Sequence, residues 1–123
     1  MHKSRLSAIG IDCQGGDLEA AGRFWSAALG REASPVSASG KYVPLAERAN
    51  QPTAFVQKVD HPSRVHLDIE TDDVEAEVER LEALGATRVE KVKSWWILEA
   101  PTGHRFCVVL AEGAIAADAN AWD

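Results

Sequence analysis

Cysteine is scarce in this chain: Cys13 and Cys107 are the only two in 123 residues. Two thiols are too few for a disulfide scaffold and lead us to expect a protein of the reducing cytoplasm. Basic charge is also in short supply, since 13 Lys+Arg against 19 Asp+Glu leave a net charge of −6. There is no cationic footprint for nucleic acid or for an anionic membrane surface, and neither is expected as a partner. No apolar run approaches the roughly 18 residues that a membrane-spanning helix needs. The opening Met1-His2-Lys3-Ser4-Arg5 leads into a short strand-like run without the apolar core of a secretory leader. Nine glycines and five prolines, with 46% hydrophobic and 26% charged residues, exclude collagen-like and disordered classes. What remains is one globular unit, because single cores usually run to about 100–150 residues.

The order of the residues is more informative than their proportions. Leu6 to Cys13 (LSAIGIDC) reads as a strand that ends at the turn Gln14-Gly15-Gly16. Asp17 suits the N-cap of a helix in which Leu18, Ala21, Phe24, Trp25, Ala28 and Leu29 recur at helical spacing, with Gly30 closing it. Phe24 and Trp25 are expected to be mostly core. Pro35, Pro44 and Pro52 break the next stretch, where Lys41–Leu45 and Thr53–Val59 (TAFVQKV) survive as strand-like pieces. Then the pattern restarts. Arg64–Glu70 (RVHLDIE) alternates, with Val65, Leu67 and Ile69 on one face and Arg64, His66, Asp68 and Glu70 on the other. A helix follows from near Asp72, with Glu75 placed for a capping box, an apolar stripe of Val74, Val78, Leu81 and Leu84, and Gly85 at its end. Its acidic run (DDVEAEVERLE) reads as a solvated face. Ser94–Glu99 and His104–Leu110 are two further strands around the turn Pro101-Thr102-Gly103, and the alanine-rich residues from Ala111 read as a loosely held tail.

Asp17 and Asp72 stand 55 residues apart (72 − 17), as do Gly30 and Gly85 (85 − 30), while the first strands superimpose best at 56, Gly10-Ile11-Asp12 on His66-Leu67-Asp68. A repeat of this length is too short to bury its own sheet, so the two copies are expected to share one core.

Several phrases carry a family resemblance. They are Asp17-Leu18…Phe24-Trp25…Leu29-Gly30, then Arg64-Val65-His66-Leu67-Asp68-Ile69, then Asp73…Glu77…Arg80-Leu81…Leu84-Gly85-Ala86, and finally Trp96…Leu98…Pro101…Gly103…Phe106-Cys107-Val108-Val109. In this order they resemble the glyoxalase-like branch of the vicinal oxygen chelate superfamily, from about Leu6 to Leu110. The resemblance implies an α+β fold of tandem βαβββ modules forming a curved mixed sheet around an open cavity, often in a homodimer. It implies a single domain, with module one over about 5–60, module two over about 61–111 and a tail over 112–123.

In metal-using relatives each module supplies two ligands, one on its first strand and one on its last. Carried onto this chain, those positions are Gly10, Gln57, His66 and Cys107. A glycine has no donor, an amide is weak and neutral, and a single thiol completes a poor mixed set, so only His66 with Gln57 remains for a divalent transition metal such as Zn, Ni or Fe. His61 and His104 are expected in surface turns. The repeat places Asp12 and Asp68 two residues after the ligand positions, on the same strand faces. They are candidate acid–base catalysts, or alternatively anchors for the turns into the helices. Phe55, Trp96 and Cys107 are the candidates to contact a bound molecule. Trp95 and Trp96 must point to opposite faces, so only one of them can line the cavity. Cys13, on the face opposite Asp12, reads as core.

Two functions suit these residues. One is a glyoxalase-like lyase or isomerase of a small oxygenated substrate. The other is a metal-free binding protein of the bleomycin-resistance type that sequesters a small molecule.

Overall fold

The computed structural model describes residues 1–123. Ten elements follow in chain order: strand β1 (His2–Gln14), helix α1 (Leu18–Leu29), strands β2 (Tyr42–Pro44), β3 (Thr53–Val59) and β4 (Arg64–Thr71), helix α2 (Val74–Ala83), and strands β5 (Thr87–Val92), β6 (Trp95–Glu99), β7 (Arg105–Leu110) and β8 (Asn120–Trp122). The strands belong to one mixed sheet in the order β2-β3-β1-β4-β7-β6-β5, with β8 added alongside β1. The path ends on two different edge strands, so the sheet is open and the fold is α+β, as the resemblance implied.

The chain divides into two compact units, Ala8–His66 and a second made of Met1–Ser7 with Leu67–Asp123. In Ala8–His66, β1 and β3 run parallel with Ile11 opposite Val56 and Asp12 opposite Gln57, and β2 pairs antiparallel with β3. Helix α1 begins where the Asp17 carboxylate accepts from the Glu19 amide at 3.0 Å and ends where Gly30 takes the left-handed conformation (φ 66°) that glycine tolerates. It lies on the sheet through Leu18, against Val43, Leu45, Ala54 and Val56, with Cys13, Ala21 and Trp25 completing that core. Gly22 lets the helix approach closely, because a Cβ there would press on Val43. Phe24 was expected to be largely core but is 62% exposed and meets only the edge of Trp25.

In the second unit β4 pairs parallel with β7, and β7, β6 and β5 form an antiparallel meander. Its core is Val78, Leu81, Ala86, Leu98 and Val108 beneath α2. The sequence did not announce β5: Thr87–Val92 (TRVEKV) carries three charges and forms the outer edge, where charged side chains discourage pairing with another chain. The cap of α2 is Asp73 rather than Asp72, its side chain accepting from the Ala76 amide at 3.1 Å. Asp72 instead accepts from the Lys3 amide at 2.8 Å. With Asp73 as the cap, the helix offset becomes 56 residues (73 − 17), in step with the strands.

Two further expectations need correction in this unit. The acidic run of α2 is not wholly solvated, because Glu77 is fully buried. Its Oε1 meets His2 Nε2 at 2.8 Å, and Arg80 donates to both of its oxygens at 2.8 Å. The tail is not loose either. Residues 120–122 form β8 on residues 2–4 of β1, Trp122 Nε1 donates to Ser4 Oγ at 2.8 Å, and the Arg80 guanidinium stacks 3.9 Å above the Trp122 ring. Both chain ends are thus tied to one buried carboxylate.

Burial alone would raise the Glu77 pKa, but hydrogen bonds from Arg80, His2 and Ser4 outweigh it and hold the group below its ordinary 4.5. A carboxyl lowered in the folded state stabilises the fold above its unfolded pKa, and that contribution is lost as pH falls through the folded value. The melting temperature should therefore decline as pH drops below about 4.5. Glu77→Gln should cost roughly 1–3 kcal/mol at neutral pH and flatten that acid limb, measured by thermal melts from pH 3 to 7; an unchanged limb would contradict this role.

Candidate functional site

The site in Ala8–His66 is built on Gly10. A Cβ at this position would overlap the ring atoms of the His66 imidazole. The ring therefore lies directly over the backbone of β1, where any other residue would exclude it. Two residues further along β1, Asp12 has its carboxylate buried at 4% exposure, with Oδ1 2.8 Å from His66 Nδ1. An ionised carboxylate only accepts, so Nδ1 carries the hydrogen and donates it, and in the neutral imidazole the lone pair then falls to Nε2. Asp12 is thus engaged with the histidine rather than capping the turn into α1, a task that belongs to Asp17.

Aromatic rings complete this surface. Phe55 meets the His66 ring edge-on with centroids 5.6 Å apart, and Tyr42 meets Phe55 in the same manner at 6.0 Å. Gln57 lies in register between Asp12 on one side and Tyr42 on the other. Two residues that the sequence reading passed over also turn toward Asp12. His61, expected in a surface turn without a role, brings Nε2 to 3.8 Å of Asp12 Oδ2, and Arg64 brings Nε to 3.9 Å. Sequence gives no sign of this, because the contact depends on how the turn after β3 folds back. Arg64 falls on the same alternating face as His66, and that was the one available signal. On the opposite face of β1, burial and then the charge of Asp12 push the Cys13 thiol up, which suits its place in the core and not a nucleophile.

In the second unit Asp68 pairs directly with Cys107 across β4 and β7, and Cys107 pairs with Ile97 on β6. Trp96, expected to face a ligand, packs instead with the cluster beneath α2 and under the Arg88 guanidinium, 4.8 Å from its centroid. Alternation then gives Trp95 the face that Ile97 and Cys107 share.

The four metal positions that the resemblance implies do not fit an ion as a set. Gly10 offers no donor, and the space its side chain would use holds the imidazole. Among the four, His66 brings the imidazole that suits a borderline ion such as zinc, and Asp12 would be the outer carboxylate that orients it.

The Gly10–His66 fit predicts a coupling that a double-mutant cycle can read. Gly10→Ala should cost about 1–3 kcal/mol in wild type, the usual size for overpacking, and close to nothing in a His66→Ala background. Equal costs in both backgrounds, measured by denaturant unfolding, would show that the ring does not depend on the glycine.

With this geometry in hand, comparison with known proteins assigns the fold. A glyoxalase-like domain model matches residues 8–109. No curated protein sequence matches the chain. Among solved structures, a hypothetical protein from Bacillus halodurans has a TM-score of 0.64 at 10% identity, covering 92% of this chain and 98% of that one. Methylmalonyl-CoA epimerase from Mycobacterium tuberculosis has a TM-score of 0.63 at 14% identity, covering 87% of each chain. A glyoxalase/bleomycin resistance protein/dioxygenase superfamily member from Vibrio splendidus has a TM-score of 0.57 at 15% identity, covering 88% of this chain and 99% of that one. The chain belongs to the glyoxalase-like domain family, with a fold shared by the glyoxalase/bleomycin resistance protein/dioxygenase superfamily member.

Proposed function

We propose that this chain binds a small oxygenated molecule beside His66 and acts on it as a lyase or isomerase, moving a proton next to a carbonyl. The observation that carries this reading is the buried 2.8 Å contact between His66 Nδ1 and Asp12 Oδ1. Asp12 fixes the tautomer in which Nε2 is the basic nitrogen, so His66 is the group that takes and returns the proton, and Asp12 is its positioning residue. Asp68, two residues along the same strand face, is the second carboxyl available for acid–base work. Phe55 and Tyr42 supply an apolar aromatic wall, and the Gln57 amide can donate to a substrate oxygen. We take the working form to be a homodimer of the reducing cytoplasm, in keeping with two cysteines and no disulfide between them.

A second reading, a sequestering protein of the bleomycin-resistance type, is favoured by the Tyr42–Phe55–His66 series of rings, which needs no chemistry to hold a flat ligand.

Solvent-deuterium exchange separates the two. The probes are α-hydrogen-bearing carboxylates and thioesters, with methylmalonyl-CoA included because fold neighbours bear the name of its epimerase. The enzymatic reading predicts deuterium uptake into at least one probe. His66→Ala should slow that uptake about 10²–10⁴-fold while ligand-induced thermal stabilisation persists. Stabilisation without exchange in wild type would leave the sequestering reading in its place. Metal content per chain, measured on protein purified without chelator and on His66→Ala, reports separately on whether His66 holds an ion.

A further inference from the structure

The carboxylate of Asp12 has three nitrogen-bearing side chains around it, one of them within hydrogen-bond distance. His66 takes Oδ1 at 2.8 Å. Oδ2 faces His61 Nε2 at 3.8 Å and Arg64 Nε at 3.9 Å, both beyond hydrogen-bond distance. Arg64 donates from Nη2 to His61 Nε2 at 3.3 Å, which gives that nitrogen the accepting role and leaves His61 Nδ1 to donate to the Pro62 carbonyl at 2.9 Å. A guanidinium has five N–H donors, and this is the one hydrogen bond Arg64 makes, with Asp12 as its only carboxylate partner within 4 Å. Its side chain is 45% exposed, so the remaining donors are open to a ligand. The buried carboxylate and the His61 contact nevertheless hold it in place.

With Arg64 included, this unit carries no net charge. Ala8–His66 holds six of the 13 basic and six of the 19 acidic residues, so the net charge of −6 lies entirely outside it. The same unit offers an apolar aromatic surface, with Phe55 inclined at 68° to the His66 ring and Tyr42 at 61° to Phe55.

We propose that Arg64, held by His61 and Asp12, is the anion-recognising and specificity-determining residue of this site, and that the molecules it selects carry a carboxylate on an apolar body. The inference deepens the reading of the site given above and rests on it for the location of the ligand. The guanidinium presents a fork that matches the two oxygens of a carboxylate, and the rings offer apolar contact to the rest of the molecule. A neutral molecule of the same shape meets the same rings but gains nothing from the fork.

Calorimetric titration with benzoate and with benzamide tests this, since the two share a planar body and differ in charge. Wild type should bind benzoate roughly tenfold or more tightly than benzamide. Arg64→Gln should abolish that preference while leaving benzamide affinity unchanged. Arg64→Lys, which keeps the charge and loses the fork, should retain part of it and serves if the glutamine variant does not fold. A ratio near one in wild type, failure of benzoate to bind, or a preference that survives in both variants would overturn the proposal. Neither probe has an exchangeable α-hydrogen. The preference is therefore read without turnover, and its presence with no deuterium exchange would sink the enzymatic reading alone.

Discussion

The imidazole of His66 occupies the volume that a side chain at residue 10 would fill, and the rest of the site depends on that placement. Glycine at this position removes a donor that metal-using relatives of the resembled family would supply there. It also makes room for the ring to lie over β1 and reach Asp12, 2.8 Å away. One substitution thus weakens one kind of chemistry and permits another. A buried carboxylate bound to one nitrogen of an imidazole defines which nitrogen is basic, and Phe55 restrains the ring from its edge. His61 and Arg64 then gather at the second oxygen of the same carboxylate, so Asp12 organises three nitrogen-bearing side chains at once.

A second buried carboxylate has a different task. Glu77 sits on the inner side of α2, where desolvation works against its charge, and it is kept ionised by Arg80, His2 and Ser4. Because His2 and Ser4 lie at the start of β1 and Trp122 lies under Arg80, this one group joins the first residues, the helix and the last strand. The strand β8 adds only three residue pairs to β1, too few to hold a tail by backbone bonds alone. The stacked Trp122 ring and its hydrogen bond to Ser4 anchor it. The two carboxylates divide the work between them, Asp12 serving the site and Glu77 the integrity of the chain ends.

Much of this was legible in the sequence, and the failures are instructive. Alternation along Arg64–Glu70 separated Val65, Leu67 and Ile69 from His66 and Asp68 correctly, because a strand has period two whatever it packs against. The repeat was legible for the same reason, and the observed cap at Asp73 removes the one-residue mismatch between helices and strands. The choice of Asp72 was ambiguous because two adjacent aspartates can both cap, and only the long-range bond from Lys3 to Asp72 decides between them. Glu77 was hidden inside an acidic run whose composition describes a solvated face, while its burial depends on Arg80 and on the distant ends of the chain. Trp96 and Trp95 could be assigned to opposite faces but not to particular ones, since parity needs a reference that only pairing with β7 provides. His61 was illegible because its role is set by a turn, where no periodicity constrains the direction of a side chain.

Asp12 holds His66 with the hydrogen on Nδ1 and, in the neutral ring, the lone pair on Nε2. Two-dimensional proton–nitrogen correlation spectra of the His66 ring, recorded on ¹⁵N-labelled protein above the imidazole titration range, test this arrangement. A protonated Nδ1 and an unprotonated Nε2 are expected in wild type, with the preference lost in Asp12→Asn. A wild-type ring protonated on Nε2, or a spectrum unchanged by the Asp12 substitution, would contradict it.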